Sequence, residues 1–160
     1  MNWFQASVAV LGAALLFGLV DVALAGTDDQ KNKEKPKDAP VFDDRTATLT
    51  ETVEGKEKKT KIDLKYSLKV QGYFDGDGFH IEEVDAGGPA TRMSDTAGNE
   101  GVAMMEKGDV ITEVDGKRIK TASDYAKAMN GVKDSTKIKL KVRDVNTGQE
   151  AEFYADAAKR

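Results

Sequence analysis

Few side chains in this sequence are equipped for chemistry. The chain has one histidine and no cysteine, which removes thiol nucleophiles, thiolate metal sites and disulfides together. His80 alternates between Phe79 and Ile81, so it is expected to point outward from a strand. A serine–histidine–aspartate triad would need that histidine, yet no serine sits in a Gly-x-Ser-x-Gly elbow. Ser123 and Lys127 have the i, i+4 spacing of a serine–lysine dyad. They stand at a helix start with no evident dry pocket of the kind that makes a lysine a base. Asp75-Gly76-Asp77-Gly78 sets carboxylates at alternate positions, as a calcium loop does. Tyr73 then occupies the first ligand position and Val84 the twelfth, where a bidentate glutamate is required, so the segment reads as a turn. The expectation is a protein without catalysis, metal or cofactor.

What remains is a set of elements suited to holding a backbone. Gly87-Gly88-Pro89-Ala90 fits a helix start, because Pro at the first helical position lacks only an N–H that would have no partner there. Val110, Ile111 and Val114 are β-branched and lead into Asp115-Gly116, a pair that tolerates positive φ and favours a tight hairpin. Thr121 can accept from the first free helix amides, with Asp124 three residues on. Ala122, Tyr125, Ala126 and Met129 then share one helix face. Upstream, Ala47, Leu49 and Val53 alternate with polar residues before a turn at Glu54-Gly55-Lys56. Ile62, Leu64, Tyr66, Leu68 and Val70 alternate strictly with Lys61, Asp63, Lys65, Ser67 and Lys69, the period of one half-buried strand. Residues 72–78 interrupt it, and Phe79, Ile81 and Val84 resume. Ile138, Leu140 and Val142, a turn at Asn146-Thr147-Gly148, then Ala151, Phe153 and Ala155 make a further hairpin. The fold class predicted is mainly β with α (α+β): a small, partly open barrel or sandwich capped by one or two helices.

Residues 4–20 are almost wholly apolar, and Ala23-Leu24-Ala25 before Gly26 has the small-x-small form of a secretory cleavage site. Residues 1–25 are therefore expected to be a signal peptide, and the protein to be exported, periplasmic or secreted. A membrane would be touched only through this leader, were it left uncleaved. Residues 26–44 interleave lysines with acidic residues and include Pro36 and Pro40. They carry too few apolar groups to offset the entropy of ordering and read as a charged flexible linker. Residues 45–60 read as an N-terminal strand extension, and 61–160 as the globular domain. A length of 160 residues, 32% charged and 39% hydrophobic, suits one such domain. The net charge of -4 comes without a basic block and argues against a nucleic-acid partner.

The order of glycine–proline helix start, Gly108-Asp109 strand, Asp115-Gly116 hairpin and capped helix resembles the bacterial PDZ domain. The most similar members are the modules of periplasmic trypsin-like heat-shock proteases and carboxy-terminal processing proteases. The resemblance covers roughly residues 64–155. In that family a loop of backbone N–H groups cups a terminal carboxylate, and the peptide adds as a strand beside a helix. Carried over, the resemblance implies a peptide-binding loop at Tyr66, Ser67, Leu68, Lys69 and Val70, faced by Ala122, Ala126 and Met129 of the helix. Gly76-Asp77-Gly78-Phe79 also has the Gly-x-Gly-hydrophobic form. The residues after it leave no room for the intervening hairpin, and Asp77 would oppose a carboxylate. The chain departs from relatives in three places. Leu68 and Lys69 stand where bacterial members carry a glycine, and Ala122 stands where many relatives carry a hydroxyl-reading histidine. A polar insertion follows at 94–103, with Met104 or Met105 expected in the core beyond it.

The resemblance implies an exported, non-catalytic adaptor with an open strand edge. Its partners would be protein C-termini or extended peptides, an envelope protease or its substrates among them. The alternative belongs to another class: a structural or assembly module of the cell envelope with a degenerate carboxylate-binding loop, working through edge-strand pairing or its insertion.

Overall fold

The computed structural model describes residues 35–132 and 137–160. The leader expected at 1–25 and most of the expected linker lie outside the described residues. The strands are β1 (Val41–Asp43), β2 (Thr48–Val53), β3 (Lys56–Lys61), β4 (Tyr66–Ser67), β5 (Val70–Phe74), β6 (Phe79–Val84) and β7 (Met93–Ser94). After these come β8 (Val110–Val114), β9 (Lys117–Arg118), helix α1 (Ala122–Asn130), β10 (Lys137–Arg143), β11 (Glu150–Asp156) and β12 (Ala158–Lys159). The main sheet runs β3-β2-β1-β5-β6-β8-β10-β11-β7, with β9 paired to β8, and does not close on itself; β12 and β4 pair separately. The chain is thus mainly β with one α-helix among the described residues, an α+β arrangement with an open sheet.

Local chemistry accounts for most of these elements. Asp115 and Gly116 both take positive φ, 48° and 73°, and join β8 to β9 as a two-residue hairpin. Thr121 caps α1 by accepting from the Asp124 amide, while Asp124 reaches back to the Lys120 amide and the Thr121 hydroxyl. Pro89 opens a single 3-10 turn, Pro89–Thr91, capped by Gly88. The α1 face of Ala122, Tyr125, Ala126 and Met129 is buried, and packs with Phe42, Phe79, Ile111, Leu140 and Ile138 in one core. Met129 is therefore a core side chain, fully buried; a charge there would break the fold before it touched a groove.

Three expectations are overturned here. The alternation over residues 62–70 reads as one strand, but the chain kinks between β4 and β5, because Lys69 takes a left-handed φ of 64°. The end of the expected linker is strand β1, with Phe42 fully buried. Phe42 is one aromatic in a polar stretch, and its burial against three other rings overrides the composition around it. His80 is buried rather than outward, since the Tyr73 ring stacks on it at 4.8 Å and Asp75 lies 2.9 Å from its Nε2.

The insertion is an ordered loop. Met93 and Ala103 form a bridge at its base, and the Asp95 carboxylate accepts from the Ala97 and Asn99 amides. Met105 is buried and Met104 is 60% exposed, so Met105 takes the core position.

Candidate functional site

The kink at Lys69 is where the site begins. A left-handed residue between two others turns successive amides toward one point, a concavity suited to an anion. Glycine adopts that φ without strain, whereas a lysine does so at a cost of about 1–2 kcal/mol. The cost is met here, and the amides of Leu68 and Val70 converge. At their focus lies the Asp44 carboxylate. Leu68 N–H donates to Asp44 Oδ2 at 2.7 Å and Val70 N–H to Oδ1 at 2.9 Å. The Ser67 hydroxyl donates to Oδ1 at 2.9 Å, and the Tyr125 hydroxyl, reaching in from α1, donates to Oδ2 at 2.8 Å. The Ser67 Oγ also accepts from the Lys69 amide at 3.0 Å, which fixes the loop.

Asp44 and Ser67 are both fully buried. No cation is among the four groups that hold this carboxylate. Burial pushes the Asp44 carboxyl above its ordinary range, against the four donors that pull it down. Burial and the adjacent Asp44 charge push the Tyr125 phenol well above its own, so it stays a donor.

The strand before Asp44 fills the edge of β5. β1 pairs antiparallel to β5 in the register Val41↔Tyr73, Phe42↔Gly72 and Asp43↔Gln71, and the Asp44 amide donates to the Val70 carbonyl at 3.1 Å. The edge expected to be open is therefore covered by the chain's own amino-terminal segment. Phe42 points into the core, with ring centroids 5.6 Å from Tyr125, 5.9 Å from Phe79 and 6.1 Å from Phe74.

Arg45 closes the arrangement from outside. Its guanidinium donates to Asp43 Oδ1 at 2.9 Å, Glu83 Oε1 at 3.0 Å and Asp85 Oδ1 at 2.8 Å, and also to Gln71 Oε1. Asp43, Gln71 and Glu83 lie opposite one another on β1, β5 and β6, so one side chain clasps three neighbouring strands. Asp43, Glu83 and Asp85 hold the Arg45 pKa above its already high value.

The structure brings Ser67, Leu68, Lys69 and Val70 together as one loop, with Tyr66 at its entrance in β4. Ala122 and Ala126 lie buried on α1 beside Tyr125 and Met129. Phe42, Asp44 and Arg45 fall in or beside the stretch that composition reads as linker, and helical spacing gives Tyr125 only a packing role. The signal available was an aromatic followed two residues later by an aspartate inside an otherwise apolar-poor stretch. Ser123 and Lys127 are exposed on the outer side of α1, and Asp75 accepts from the Asp77 amide to form a turn.

Lys69→Gly tests the strained position directly. The variant is expected to raise stability by about 0.5–1 kcal/mol, the left-handed penalty less the entropy of a new glycine. A thermal melt that falls instead would show that the lysine side chain holds the loop. No protein-family profile matches this chain, and no curated protein is detectably similar to it.

Proposed function

We propose that this chain is an exported, non-catalytic module of the PDZ type, which binds extended protein segments or chain ends by adding them as a strand to β5. One observation carries the reading: a carboxylate buried on two backbone amides and two hydroxyls, at the end of a strand added antiparallel to β5 beside a helix. That combination is the peptide mode of recognition, main-chain pairing plus a nest for an anion. Residues 41–44 of the chain itself lie along β5 in that arrangement. The apolar leader at 1–25 supports export as the setting.

The test is a titration with short peptides ending in an apolar residue. The unblocked form is expected to bind in the micromolar range, and the amidated form to lose the signal. Equal binding of both would overturn the capture of chain ends, and no binding of these or of internal segments by the unaltered chain or by Arg45→Ala would overturn the whole reading. The covered edge favours a second reading, a closed structural or assembly module of the envelope. Failure of both peptide formats together with oligomers on a sizing column would favour that one.

A further inference from the structure

Resting on that reading of the groove, we propose that residues 41–44 are a resident ligand displaced by a partner strand. The displacing segment carries an aromatic side chain two residues before an aspartate, within a chain rather than at its end.

The cup itself points to an internal aspartate. It is filled by a side-chain carboxylate, and the backbone leaves it freely through Arg45 to Ala47, which turns with a φ of 50°. Nothing about the four donors requires a chain terminus. Specificity falls on two positions of the occupant. Phe42 is wholly buried between Phe79 and Tyr125, whereas its neighbours Val41 and Asp43 are only half-buried and face outward. A competitor must therefore supply both a ring and a carboxylate at that spacing.

The occupant is held by few main-chain bonds. β1 is only three residues long, so its pairing with β5, and with β2 on its other side, is brief. Among the described residues its carboxylate is held by two amides and two hydroxyls and by no cation. What fastens it from outside, besides β2, is the Arg45 clasp, in which Arg45 and Asp43 are 20% and 24% exposed at the side chain and the outer partners Glu83 and Asp85 59% and 40%. Exposed ion pairs are individually weak and are screened by salt. A resident segment lowers the apparent affinity of any competitor by the fraction of time that it leaves the groove free.

The probe is a peptide copying residues 39–46, acetylated and amidated so that it has no terminal carboxylate. It is expected to bind Arg45→Ala about tenfold more tightly than the unaltered chain. Hydrogen exchange at the protein's own residues 41–44 is expected to accelerate when it binds. Peptides with alanine at the place of Phe42, or asparagine at the place of Asp44, are expected to lose tenfold or more. Glu83→Gln with Asp85→Asn loosens the same clasp without altering β1, and must act in the same direction even if Arg45→Ala folds poorly. Unchanged protection at 41–44 on peptide binding, or equal binding of the altered peptides, would overturn the proposal. If this peptide fails while free-acid peptides bind, the proposal falls and the PDZ-type reading stands. If neither kind binds, that reading falls too. A dimer formed without peptide, in which a second copy supplies residues 41–44, would also overturn the proposal.

Discussion

Asp44→Ala is expected to destabilise the fold by about 3–5 kcal/mol, because it strands four buried donors at once. Leu68 N–H, Val70 N–H and the Ser67 and Tyr125 hydroxyls all end on this one carboxylate. Asp44→Asn should cost roughly half as much, about 1–3 kcal/mol. Its oxygen can keep Val70 and Ser67, and the Tyr125 hydroxyl can turn to accept. The new amide group then faces the Leu68 N–H donor to donor. Urea unfolding of the three chains, with a common slope, measures the order. A loss under 1 kcal/mol for Asp44→Ala would mean that water replaces the carboxylate and that the cup is not a built site. Acid gives a second reading of the same group. With its folded pKa raised by burial, Asp44 contributes stability that is complete below its unfolded value of about 3.9 and is lost as pH rises through the folded value. Asp44→Asn should remove that component of the pH dependence.

Gly72→Ala is the second large effect. A Cβ there would stand 1.8 Å from the His80 carbonyl oxygen and 2.9 Å from the Phe79 ring. The carbonyl belongs to the β5–β6 ladder at its bulge, so no change of rotamer relieves the contact. The strands must part, at a cost of about 3–4 kcal/mol. Gly72 is also the residue opposite Phe42, and parting the strands there disturbs the seat of β1. The variant should therefore lose hydrogen-exchange protection in β1 and β5 together, and protection lost in β6 alone would contradict that link.

Much of the scaffold was legible because single residues dictate it. Asp115-Gly116 needs positive φ at both positions and finds it, Thr121 caps the helix, and alternating lysines mark β10. The strict alternation of residues 62–70 misleads for a physical reason. Period-2 alternation reports which faces are wet, and a single left-handed residue can break a strand without disturbing it. The energy that forces Lys69 into that geometry comes from Asp44, distant in sequence, so no window around the lysine could reveal it. Composition misplaced the end of the linker in the same way: Phe42 is outvoted by charged neighbours until Phe79 and Tyr125 come together around it. His80 illustrates the third kind of failure, since its strand has side chains covering both faces.

The outermost strand, β3, offers six exposed residues to solvent, four of them lysines: Lys56, Lys58, Lys59 and Lys61. An uncovered strand edge is a template on which identical molecules can stack into fibres. Two such edges approaching each other would bring rows of ammonium groups within reach and repel. The lysines thus guard an uncovered rim, and removing their charges by acetylation is expected to take away that protection against fibre growth.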